Sequence, residues 1–377
     1  MTFIESAKRL GVADFPENGL SEEQSKLRLV VKSFLECNEE KAEELARELL
    51  ASARDEEIEK MAYELLFSIL LWQDRFDELT SLGFPRNDDD MEQIAMYDTR
   101  DAEFLLSHEI SEAEMPEFPM IQPIMTVQIN GKNVNLLVDT GAMFTVITQS
   151  VAELTDSKPE EKSVNADAVT EGSVVTRAAH IKELKLGKSV IRNKRCLIMP
   201  DEALDFSAAG GPKINGMIGW EIIKRLQWEI DYKNRRIRLC APRKSDVDRN
   251  MCCDFYPMVR MIVNGEPITA ALDTGGNKTN FGKSMVGRFP GAEKDKRQMA
   301  GAGQSEASEY EGYVIPELPI FFDDKQIVAK NAFIHTSREF SPARTLLLSG
   351  SIGSDLFFDH VLKIDFENRH MSIARAK

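Results

Sequence analysis

The hydrophobic rhythm of the chain changes once along its length. From about Glu22 to His108, apolar residues recur three and four positions apart among Ala, Leu, Glu and Lys, the spacing that gathers them on one face of a helix. From about Met120 onward the pattern alternates with a period of two. It is broken by Asn130-Gly131 and Asn264-Gly265, which mark strands joined by tight hairpins. Between the two regimes Ser111 to Pro119, carrying Glu112, Glu114, Pro116 and Glu117, reads as an extended acidic linker. Asn87-Asp88-Asp89-Asp90 lacks the glycine and terminal glutamate of a calcium loop and reads as the cap of a helix starting at Met91.

Each regime also repeats. Lys26-Leu27-Arg28-Leu29-Val30-Val31 aligns with Lys60-Met61-Ala62-Tyr63-Glu64-Leu65, and Leu45 with Leu79, at one constant offset. The β-patterned part holds a single longer offset: Val127 to Gly131 returns as Met261 to Gly265, Gly216-Met217-Ile218-Gly219 as Gly350-Ser351-Ile352-Gly353, and Ile230 to Arg235 as Ile364 to Arg369. A duplicated β unit follows. The expected organisation is a multidomain chain: all-α helical hairpins over 1–110, a linker over 111–119, a β lobe over 120–241, a connection over 242–254 and a second β lobe over 255–377.

Totals narrow the function classes. At 377 residues two or three domains are expected. A net charge of −15 argues against nucleic acid or an anionic membrane surface as partner, because phosphates reward clustered Lys and Arg. The opening stretch, Met1 to Leu10, lacks a basic segment followed by an apolar one, so a cytoplasmic location is expected. Five cysteines without regular spacing fit that reducing setting, and the adjacent Cys252 and Cys253 read as free thiols in the connection. His108, His180, His335, His360 and His370 form no pair at metal-ligand spacing, so no metal or cofactor is expected.

The candidate chemistry sits where an apolar strand ends in a carboxylate. Leu136-Leu137-Val138-Asp139-Thr140-Gly141-Ala142 and Ala271-Leu272-Asp273-Thr274-Gly275-Gly276 hold the same register as the other repeat anchors. In each copy the order is strand, Asn-Gly hairpin, strand, Asp-Thr-Gly and then, at the same distance in both, a hydrophobic-hydrophobic-Gly segment ending at Gly219 or Gly353. This succession resembles one lobe of the aspartic proteases. Two lobes in one chain resemble pepsins, whereas the lobe length and the Asp-Thr-Gly-Ala form are closer to retropepsins. The helical region loosely resembles tetratricopeptide helix pairs, whose period of about 34 residues equals the spacing of its own repeat.

The resemblance implies an all-β two-lobed acid-protease fold and an aspartic endopeptidase acting on a peptide or protein. Asp139 and Asp273 would share one proton and a water. Thr140 and Thr274 would hydrogen-bond across the lobes, and Gly141 and Gly275 would let backbone amides approach the carboxylates. Met143, Phe144, Asn277 and Lys278, just after the motifs, would face the substrate, as would two covering hairpins around Gly172 (Thr170-Glu171-Gly172-Ser173) and Gly303 (Gly301-Ala302-Gly303-Gln304). The chain departs from pepsins in having Ala142 and Gly276 where a hydroxyl usually follows the glycine. A non-catalytic peptide-binding scaffold that keeps the cleft is the alternative, and the helices would either bind a protein partner or cap one flank of the β lobes.

Overall fold

The computed structural model describes residues 2–15, 17–82, 96–117, 122–167, 173–207, 213–299, 308–339 and 345–377. Among these, the helices that open the chain are α1 (Phe3–Lys8), α2 (Glu22–Leu35), α3 (Glu39–Ser52), α4 (Glu56–Trp72) and α5 (Phe76–Ser81). Local chemistry sets their starts. Thr2 with Glu5, and Ser21 with Gln24, form reciprocal capping boxes, and the Asp55 carboxylate accepts the amides of Glu57 and Ile58 at 2.9 and 3.1 Å. Each helix buries an apolar stripe, but α4 is buried on nearly every side from Met61 to Trp72. It packs on α2 and α3 and also against a strand of the β region, and a helix apolar all round needs cover all round.

Helix does not continue to His108. Instead β1 (Glu103–Leu105) and β2 (Ser111–Glu114) are strands, so the stretch read as an acidic linker supplies a sheet edge. The proposed cap at 87–90 lies outside the described residues. The chain then builds β3 (Ile124–Ile129), β4 (Lys132–Val138), β5 (Val146–Thr148), β6 (Pro159–Asp167), β7 (Ser173–Leu186), β8 (Ser189–Met199) and β9 (Gly216–Ile218). The pairings β3-β4-β9-β5-β8-β7 return to β3, closing a six-stranded barrel, with β6 extending β7 and β1 edging β8.

After β10 (Gln227–Asp231) and β11 (Arg236–Cys240) the construction is repeated. β12 (Met251–Asp254) enters, and β13 (Tyr256–Val263), β14 (Glu266–Leu272), β15 (Asn280–Phe281), β16 (Glu293–Met299), β17 (Ser308–Phe322), β18 (Lys325–His335) and β19 (Gly350–Ile352) follow. The ring β13-β14-β19-β15-β18-β17 closes a second six-stranded barrel. Registers obey the sequence offset: Val138 pairs with Ile218 in one barrel and Leu272 with Ile352 in the other. Gly216 and Gly350 are needed where β9 and β19 cross their neighbours, since a Cβ there would lie 2.3 Å from the Val146 carbonyl oxygen and 2.1 Å from that of Asn280.

The last strands, β20 (His360–Asp365) and β21 (His370–Arg375), pair with β10, β11 and β2 in a sheet ordered β2-β11-β10-β20-β21. Both halves of the repeat therefore share one sheet. The helices join the same core. Trp72 meets Trp220 edge to face at 6.4 Å, Ser68 donates to the buried Asp254 at 2.7 Å, and Glu39 takes a bidentate pair from Arg369 at 2.8 Å. Main-chain bonds run from Leu347 to Lys8 and from Thr269 to Gly11. Cys252 and Cys253, expected in a loose connection, are buried free thiols on β12. Among the described residues no helix is long and apolar enough to cross a membrane.

Candidate active site

Strands β4 and β14 each end in a turn that presents an aspartate, and the two turns meet. The Asp139 amide donates to the Ile218 carbonyl at 3.1 Å and the Asp273 amide to that of Ile352 at 3.0 Å, so each turn hangs from the parallel strand beside it. The threonines then cross over. Thr140 Oγ1 donates to the Leu272 carbonyl at 2.6 Å and accepts the Thr274 amide at 2.9 Å; Thr274 Oγ1 donates to the Val138 carbonyl at 2.7 Å and accepts the Thr140 amide at 3.0 Å. Both threonines are fully buried, and all four bonds span the two repeats.

This crossing sets the carboxyl groups within hydrogen-bonding reach of each other. The glycines leave the room: a Cβ on Gly275 would lie 2.3 Å from Cγ of Asp139, and one on Gly141 2.6 Å from Oδ1 of Asp273. Amides fill part of it. Gly141 donates to Asp139 Oδ1 at 2.8 Å and Gly276 to Asp273 Oδ1 at 2.7 Å, one position later in the second turn.

Burial is the main force raising both carboxyl pKa values above the usual range. For Asp139 the neighbouring charge of Asp273 adds to it, and the amides of Gly141, Ala142 and Gly275 oppose it. For Asp273 the amides of Gly276 and Gly275 pull the other way. Two carboxyl groups so close hold a proton between them. One ionised and one protonated member can accept a proton from water and polarise a carbonyl at the same time. Among the described residues no group of three or more His, Cys, Asp and Glu is disposed to hold a metal ion.

The residues after the motifs are less alike. Met143 and Phe144 are half-buried, and the Phe144 ring lies 4.4 Å from that of Tyr97. Asn277 and Lys278 are exposed, with Lys278 near enough to Asp355 to favour its ionised form. Gly172 and Gly303 lie outside the described residues, although β6–β7 and β16–β17 are the hairpins that lead to them.

A layer of support behind the turns lies outside the residues that the motifs single out. The hydroxyl of Thr145 accepts the Gly219 amide at 3.2 Å, and that of Thr279 accepts the Gly353 amide at 3.2 Å. Glu221 accepts the Thr145 amide at 2.7 Å, and Asp355 accepts the Thr279 hydroxyl at 2.9 Å. Thr145 with Thr279, and Glu221 with Asp355, stand at the same offset as Asp139 with Asp273. The same offset, carried on to positions 145 and 221, finds them in the sequence.

A family model described as Aspartyl protease matches residues 125–222. That stretch holds β4, the Asp139 turn, β9 and Glu221, and supports descent of this part of the chain from the aspartyl protease lineage. The second barrel lies outside the match and is tied to the first by its register and strand order. No curated protein matches the chain.

Proposed function

We propose that the chain is an aspartic endopeptidase whose two barrels act as the lobes of an acid protease, with Asp139 and Asp273 as its catalytic dyad. The ionised carboxylate takes a proton from a water lying between the two groups, and the water oxygen attacks the scissile carbonyl carbon. The protonated partner gives its proton to the carbonyl oxygen. Collapse of the tetrahedral intermediate breaks the C–N bond as the departing nitrogen takes up a proton. The observation that carries this reading is the meeting of two Asp-Thr-Gly turns locked by reciprocal threonine bonds. A scaffold released from catalysis would be free to relieve the cost of two buried carboxyl groups in contact.

In this reading the hairpins β6–β7 and β16–β17 cover the bound peptide, and Met143, Phe144, Asn277 and Lys278 border it unequally. The helices complete the support of the first lobe and offer a surface for a protein partner. Purified protein should cleave a mixed peptide library, and Asp139→Asn and Asp273→Asn should each abolish cleavage while leaving the circular dichroism spectrum unchanged. Retention of turnover by either variant would exclude the shared-water mechanism.

A further inference from the structure

Behind the Asp139 turn lies an ion pair that the dyad chemistry does not use. Lys194 of β8 and Glu221 are each 1% exposed, and Nζ stands 3.2 Å from Oε1. The same Oε1 accepts the Thr145 amide at 2.7 Å, and the ammonium also donates to the Arg195 carbonyl at 2.6 Å. Trp220, next to Glu221, donates its amide to the Ala142 carbonyl at 2.7 Å. Two consecutive residues thus hold both ends of the segment Ala142 to Thr145 that leaves the turn.

The second repeat has this clamp without the buried cation. Ser354 donates its amide to the Gly276 carbonyl at 2.8 Å, and Asp355, one methylene shorter than Glu221, accepts from the Thr279 hydroxyl at 2.9 Å and from the Thr279 amide. The position that strand register makes equivalent to Lys194 is Lys330, since Leu197 pairs with Val146 as Phe333 pairs with Asn280, and the Lys330 side chain is exposed. Holding one amide does not require a charge, since a glutamine oxygen would accept the same bond. A buried ion pair gains little stability over neutral groups of similar shape, and its best-attested use is to fix one arrangement among several.

We propose that Lys194 and Glu221 are positioning residues for Asp139: together they fix the exit of the first turn and so the geometry in which its carboxyl group meets that of Asp273. The proposal rests on reading the two aspartates as the dyad, and it makes the first turn the rigid member of an unequal pair. Lys194→Met leaves a buried carboxylate without its cation, and Glu221→Gln leaves a buried ammonium without its anion. The double variant Lys194→Met/Glu221→Gln keeps an oxygen for the Thr145 amide with no charge to bury.

The test uses the full chain with 13C-labelled aspartate, following the dyad titration by NMR, amide exchange at Thr145, and peptide hydrolysis. Each single variant should exchange Thr145 about tenfold faster, shift the dyad titration and lower kcat about tenfold with KM within about twofold, and the double variant should recover all three. Unchanged exchange and titration in both single variants would overturn the proposal. So would faster exchange with an unmoved titration, which is what a purely structural role gives. If the wild type cleaves no peptide, the protease reading fails, while exchange and titration still decide the positioning role. Should a single variant not fold, the double variant is compared with Lys194→Met/Glu221→Leu, which offers the Thr145 amide no oxygen: a titration shift confined to the latter supports the proposal, and identical titrations refute it.

Discussion

A carboxyl group that loses its water on folding resists ionisation, and Asp139 and Asp273 do so side by side. Their pKa values are higher in the fold than in the unfolded chain, so above the ordinary carboxylate range the unfolded state has released more protons. The pair's contribution to stability is then full below the unfolded pKa and is lost as pH rises through the folded values. Asp139→Asn removes this penalty, and we expect its thermal midpoint at neutral pH to rise by about 2–4 °C, with little gain in strong acid. Calorimetry at the two pH values checks this, and an unchanged or lower neutral midpoint would contradict it. The same shift bears on activity. Catalysis needs one shared proton, and Ala142 and Gly276 bring no hydroxyl to stabilise the fully ionised pair. Activity should therefore persist from mildly acidic to neutral solution, and a kcat/KM profile confined to strong acid would refute the argument. Lys278 is exposed beside Asp355, so Lys278→Glu should reverse any preference for acidic residues near the cut; identical product sequences from both proteins would remove it from the substrate groove.

Between elements, the end of α4 supports the first turn indirectly. Lys224, just past the short helix Trp220–Ile223, donates to the Trp72 carbonyl at 2.9 Å and to Asp74 at 2.7 Å, and Arg225 reaches Asp74 at 2.9 Å. Burial pulls the Lys224 pKa down to about 8 despite the Asp74 charge that opposes it. Asp74→Ala should cost about 2–3 kcal/mol by leaving this ammonium without its anion, whereas a surface pair would cost less than about 1 kcal/mol. Urea unfolding distinguishes the two values. How much of this was legible depends on the range of the interaction. The offset between Asp139 and Asp273 foretold two β units of equal register because Gly216 and Ile230 also have counterparts of matching type, Gly350 and Ile364. Ser21, Asn38 and Asp55 cap their helices through side chains that act on amides within the first turn, a contact local enough to be written in neighbouring residues. β1 and β2 were not legible, for Glu103–Leu105 and Ser111–Glu114 are short, half-exposed and strand-forming only through partners in β8 and β11. Lys194 was hidden for the same reason: its anion belongs to a different element, reached only after β9 has crossed the barrel, and the lysine at its equivalent position, Lys330, is exposed.

For the whole molecule, the decisive matter is that helices and barrels share one apolar core. Read from sequence, residues 1–110 supply no catalytic group, which suggests that a chain beginning near Met115 would still hydrolyse a short peptide. The packing argues otherwise. Such a chain loses Trp72 from Trp220, Ser68 from the buried Asp254, Glu39 from Arg369, and the main-chain bonds of Lys8 and Gly11 to the second barrel. It also loses β1 and β2 from two sheets. Asp254 would keep the Thr345 and Leu346 amides, but Trp220 would face water while still bonded to the Ala142 carbonyl at the first turn. Uncovering several large apolar side chains costs about 1.5–3 kcal/mol for each one fully exposed, and a few of these equal the whole stability of an ordinary domain. We therefore expect the truncated chain to be insoluble or to lack a cooperative thermal transition. Adding residues 1–114 as a separate chain should restore solubility in proportion to the amount bound. A truncated protein that melts cooperatively and retains the Asp139-dependent hydrolysis of the full chain would show that the helices only cover one flank.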